Sequence, residues 1–158
     1  MLPANGTILD LDAASSFGYG EHLLVWSWRR LASELDAALI GREFAGVCGE
    51  DTGEVIATFC NFLEALDFAG RRKLTVGSPG SLALSPDERL ALSLLGAAQA
   101  DMPALFEARL RWLARPEARP ALAIATGALA TALSVNGLHL ARPRTDGPTM
   151  CARELATT

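Results

Sequence analysis

Pro120–Gly137 reads PALAIATGALATALSVNG and contains no charged residue. Leu122, Leu129 and Leu133 recur at i, i+7 and i+11 and form one helical stripe. Each residue turns a helix by ~100°, so Ile124, Ala128 and Val135 form a second stripe on roughly the opposite side. A helix that is apolar on both sides needs cover on both sides, from its own fold or from a partner. Asn136-Gly137 supplies its C-terminal stop. The rest of the chain is expected to pack around it.

Working back towards the N-terminus, Arg115–Arg119 forms the turn into this helix. Asp101 is expected to cap a preceding helix that carries Phe106, Leu110 and Leu113 and ends before Pro116. Before that, Ser85-Pro86-Asp87-Glu88 is the most specific local signal in the chain. Ser85 is the N-cap, Pro86 fits the first helical position and Glu88 completes a capping box. This helix continues through Leu90, Leu94 and Ala97 to about Ala100. Residues 74–84, LTVGSPGSLAL, form a loop marked by Gly77, Pro79 and Gly80, with a brief strand expected at Leu74–Val76.

A further helix starts at Asp51 or Thr52, with Glu54 complementing its dipole. It carries Val55, Phe59, Phe62 and Leu66 and stops at Gly70, before Arg71-Arg72-Lys73. Leu39–Val47 has Ile40, Phe44 and Val47 at helical spacing but is weakened by Gly41 and Gly46. The first helix runs from Gly20 towards Ala38, with Leu24, Trp28, Leu31 and Leu35 in a stripe. Residues 1–19 are partly irregular and residues 141–158 form a flexible tail. The fold expected over 1–158 is a single-domain, all-α bundle of five or six helices around a central apolar helix.

Half of the 158 residues are hydrophobic and a fifth are charged, as in an ordinary globular protein. The net charge of −4 disfavours broad attraction to nucleic acid or anionic lipid. Cys48, Cys60 and Cys151 do not make a disulfide framework, so reduced thiols and a cytoplasmic location are expected. The N-terminal MLPANGTILDLDAASS has no basic segment followed by an apolar run, so no secretory signal is expected. The charge-free run is marginal against the ~20 residues of a membrane span, and it is rich in Ala, Gly, Ser and Thr. A buried helix is the better account of it.

No zinc-ligand spacing, GxSxG, Walker loop or strand-borne GxGxxG occurs, so neither metal nor cofactor is implied. Cys48 and Cys60 are expected to be packed thiols. Two features point to binding. His22, Trp26, Arg29 and Ser33 share the helix face opposite the Leu24 stripe, where a tryptophan is costly to leave in water. Arg109 lies among Leu105, Phe106, Trp112 and Leu113, where a guanidinium holds an anionic ligand or snorkels to water. Arg71, Arg72 and Lys73, with Arg109, Arg111, Arg115 and Arg119, are candidates for a basic surface, but no helix-turn-helix pairing supports DNA binding, and the charge run after Gly70 reads more simply as a solvated helix end. The chain is therefore expected to be a non-enzymatic association or regulatory module that forms homo-oligomers. The alternative is a helical protein with an anion-accepting pocket, contacted by Arg109 and Trp26. An enzyme assembled from distant residues is the third expectation.

Overall fold

A computed structural model describes residues 18–144. It contains six α-helices among the described residues and no strand. They are α1 (Tyr19–Ala32), α2 (Ala37–Cys48), α3 (Thr52–Ala69), α4 (Pro86–Gln99), α5 (Pro103–Leu113) and α6 (Arg119–Val135). Short 3-10 turns at Gly49–Asp51 and Pro116–Ala118 lead into α3 and α6. The all-α bundle expected from periodicity is what the chain forms.

α6 packs chiefly against α3 and α4 and touches α5. Leu122, Leu129 and Leu133 on its inner stripe are fully buried. They meet Phe59, Phe62 and Leu66 of α3 and Leu94 and Leu95 of α4 in one contiguous core. Phe44 of α2 joins that core, its ring centroid 6.0 Å from that of Phe59. Thr126 is also buried on α6, and its hydroxyl donates to the Leu122 carbonyl at 2.7 Å, so no polar group is left unpaired there. The outer stripe departs from the expectation of cover on both sides. Ile124 and Val135 are 75% and 72% exposed, and Ala128 between them is exposed too. The described chain covers α6 on one side only.

Helix ends explain two further departures. α1 stops at Ala32 rather than running to Ala38, because Glu34 adopts φ 56°. The Leu35 amide then donates back to the Arg30 carbonyl at 2.8 Å and the Glu34 amide to Leu31 at 3.1 Å, closing a Schellman motif. Leu35 consequently leaves the helical stripe and is exposed. Asp101 does the same for α4: it has φ 55°, with the Met102 amide on the Ala97 carbonyl at 2.9 Å. It ends one helix instead of capping the next, and Met102 takes the N-cap position of α5 without a side-chain bond. Gly137, at φ 77°, completes the same motif after α6, where the sequence placed it.

Residues 74–76 do not pair as a strand. The segment between α3 and α4 is an extended strap, and its amides go to carboxylates at the start of α4. Thr75 donates to Asp87 at 2.6 Å and Gly77 to Glu88 at 2.9 Å. Beyond α6, residues 138–144 cross back over α4 and α1, where a loose tail was expected from 141 onwards. The Gln99 side chain donates to the Leu138 carbonyl at 3.0 Å and accepts from the Leu140 amide at 2.7 Å. The Ala141 amide donates to the buried Glu21 carboxylate. Gly96 allows this close crossing, since a Cβ there would lie 2.9 Å from the Ala141 carbonyl oxygen. Most of the N-terminal stretch, the remainder of the tail and Cys151 lie outside the described residues.

Candidate functional site

The four residues singled out in the sequence do not converge. Arg29 points inward rather than outward: it is buried and forms a fork-to-fork pair with Glu88. Its Nε and Nη2 donate to the two carboxylate oxygens, each at 2.8 Å. Nη1 and Nη2 also donate to the Ser81 and Ala83 carbonyls at 2.7 and 2.8 Å. With four of its five N–H groups engaged, this guanidinium is a structural tie. The face opposite Leu24 was read as polar because Glu88 lies far along the chain and helical periodicity cannot reveal it.

Trp26 is half-buried against the core, and the Arg30 guanidinium lies 4.7 Å from its ring centroid. That stacking supplies cover within the chain. His22 is exposed at the start of α1. Arg109 is half-buried on α5, and its Nε donates to the Ser93 hydroxyl at 2.9 Å, which ties α5 to α4.

Two surfaces stand out instead. The first is the outer face of α6. From Pro120 to Ala141 the chain has no Asp, Glu, Lys or Arg. Ala121, Ile124, Ala128, Thr131 and Val135 are exposed along the helix. By length and composition Pro116–Val135 is also apolar enough to cross a membrane, although this is the helix whose inner stripe forms the core.

The second surface is a cleft of about 560 Å³ where the C-terminal ends of α3 and α5 meet α4. The two ends are fastened together by a bridge between Gly70 and Ala114 and by the Arg115 amide on the Ala69 carbonyl at 2.9 Å. Leu74, Leu90 and Leu113 give the cleft its apolar lining, and Arg71, Arg72, Arg111 and Trp112 stand around it. Trp112 is 70% exposed. Asp87 is the one carboxylate among the lining residues. Burial works to raise its pKa, but two hydrogen bonds from Arg72, at 2.9 and 2.7 Å, and one from the Thr75 amide outweigh it. The carboxyl is therefore held below its ordinary value and stays ionised. In sequence, Arg71 and Arg72 read as a solvated helix end after Gly70, and Arg111 only as part of a basic surface. The missed signal was Trp112, three residues beyond Arg109 and off the apolar stripe.

No group of three or more His, Cys, Asp and Glu side chains is placed to hold a metal ion among the described residues. Cys48 is buried and Cys60 half-buried, and neither is in a disulfide. Burial pushes both thiols up, assisted by Asp51 at Cys48 and by Glu64 at Cys60. They are protonated, weakly nucleophilic thiols at neutral pH. No family model, curated protein or solved structure matches the chain.

Proposed function

We propose that the protein is a non-enzymatic association module that pairs with a second copy of itself through the outer face of α6. The observation that carries this is the exposure of Ile124 and Val135 on a helix that has no charged residue after Arg119 and whose other side is fully packed. The face is self-complementary. In an antiparallel pairing about its midpoint, Ile124 faces the partner's Val135, and Ala128 faces the partner's Thr131. The small residues between let two helix axes approach to the ~8–10 Å of ordinary helix packing. The absence of charge means that no ion is stranded when water leaves. The four large side chains contribute at most roughly 6–12 kcal/mol of burial. Association itself costs an estimated ~4–15 kcal/mol, so the dimer is a weak, reversible one.

Sedimentation equilibrium on the full chain tests this, with Ile124→Asp and Val135→Asp beside the wild type. The expected result is a concentration-dependent dimer that becomes monomeric in both variants while the monomer's thermal midpoint is kept. A wild type that stays monomeric at every concentration, or variants that keep the dimer mass, would overturn it. A monomeric wild type that Ile124→Asp destabilises would show that the chain's own flanking residues cover the face. Flotation with lipid vesicles would show that the face meets a bilayer instead.

A further inference from the structure

We propose that the cleft between the ends of α3 and α5 binds a small organic anion in which an acidic group is joined to a flat ring. This site is separate from the outer face of α6 and does not depend on pairing.

The first ground is charge. Arg71 and Arg72 come from the strap after α3, and Arg111 comes from α5, so two elements bring three guanidinium groups to one opening. The single carboxylate there is already committed. Asp87 accepts two bonds from Arg72 and one from an amide, and its side chain is 2% exposed. Arg72 and Asp87 therefore neutralise each other. Among the described residues no carboxylate pairs with Arg71 or Arg111, and both stand as cations on the rim. The Arg71 Nη2 reaches only the Arg111 carbonyl, at a long 3.4 Å, so its guanidinium is held beside α5 with most of its donors unused. Two cations that face one opening repel each other, and an anion between them relieves that repulsion and accepts charge-assisted hydrogen bonds.

The second ground is shape. The opening is a cleft rather than a flat basic patch, and its volume is that of a small-molecule site. Leu74, Leu90 and Leu113 give it apolar walls that a hydrated inorganic ion does not use. Trp112 lies beside them with most of its surface in water, although the ring belongs to a helix whose Leu110 and Leu113 are buried. An exposed indole next to guanidinium groups is a stacking surface for a planar group. Charge and apolar wall together select a ligand with an anionic end and a ring. The acidic end can be phosphate, sulfonate or carboxylate, since a guanidinium fork donates to the oxygens of each.

The test is calorimetric titration of the full chain with 1-naphthyl phosphate, inorganic phosphate and 1-naphthol. The phosphate ester is expected to bind at least about tenfold more tightly than either fragment, because only it engages both the cations and the ring. Arg111→Gln should weaken the ester by about tenfold or more, the loss of one charge-assisted contact. Trp112→Ala should bring the ester down to the level of inorganic phosphate. Both positions are exposed, so the fold should be kept and the thermal midpoint should move little. Ile124→Asp should bind like the wild type, which separates this site from the dimer face. The proposal is overturned if the ester binds no better than inorganic phosphate, or if neither variant changes its affinity.

Discussion

Arg29 and Glu88 are 59 positions apart, yet their side chains meet in two parallel hydrogen bonds of 2.8 Å out of reach of water. Glu88 also accepts from the Ser85 and Gly77 amides, at 2.8 and 2.9 Å. One carboxylate thus caps α4, holds the strap and answers a cation on α1. Removing it leaves a buried guanidinium without a counter-ion. Glu88→Ala is expected to destabilise the protein by ~3–5 kcal/mol, measured by urea unfolding. Arg29→Met combined with Glu88→Leu should recover part of that loss, since no charge is then stranded. If the double variant were as unstable as the two single losses added together, the ion pair would not be the source.

Acid should weaken the same region. Burial works to raise the Glu88 pKa, but the Arg29 bonds and the Ser85 and Gly77 amides outweigh it, and Asp87 behaves alike. Both carboxyls titrate below their ordinary values of 4.5 and 3.8 in the folded protein. The unfolded chain therefore binds more protons in the interval between. The stabilisation is complete above those ordinary values and is lost as pH falls through the lower, folded ones. Urea midpoints of wild type and Glu88→Gln should differ at pH ~7 and converge as pH falls below the ordinary carboxyl value of 4.5 and through the lower, folded one. A gap that stays constant with pH would contradict this.

Gly77 is needed for room rather than for backbone freedom. A Cβ at this position would lie 2.7 Å from Arg29 Nη2 and 2.9 Å from its Cζ. The guanidinium cannot give way, because four hydrogen bonds fix it. Gly77→Ala should cost ~1–3 kcal/mol, the usual result of overfilling a packed site. Gly80→Ala, where a Cβ meets no neighbour but φ is 90°, tests backbone strain alone by comparison. Thermal unfolding of both variants checks the distinction. Removal of the Gly77 loss by Arg29→Met would identify the clash as its cause.

The two sides of α6 should respond differently. Leu129→Ala removes a fully buried side chain from the core and should cost ~2–5 kcal/mol at any protein concentration. Ile124→Ala should leave the monomer within ~0.5 kcal/mol of wild type, because its side chain is mostly in water. Chemical denaturation at low protein concentration measures both. Equal losses at the two positions would mean that the outer stripe is packed.

Local chemistry was the most legible part of the chain. The stripe Val55, Phe59, Phe62 and Leu66, the box from Ser85 to Glu88 and the stop at Gly137 depend on neighbours within a turn or two. All three appear in the structure. The helix ends at Glu34 and Asp101 were hidden because residues other than glycine took the left-handed position there. Arg29 was misplaced because its counter-ion is supplied from another helix. The cleft residues were legible only as a charge run, since Arg71 and Trp112 are brought together by the pairing of Gly70 with Ala114. Periodicity showed that α6 has two apolar stripes but not which of them the chain itself would cover.

Glu21 accepts the Gly18 amide at 2.8 Å and the Ala141 amide as well. The described segment thus begins and finishes its path over the bundle at a single carboxylate. The two ends of the described segment, near residues 18 and 141, therefore lie at the same pole of the molecule. Tension applied across the two ends would load that one contact first and peel residues 138–144 from α4 before it reached the phenylalanines of the core.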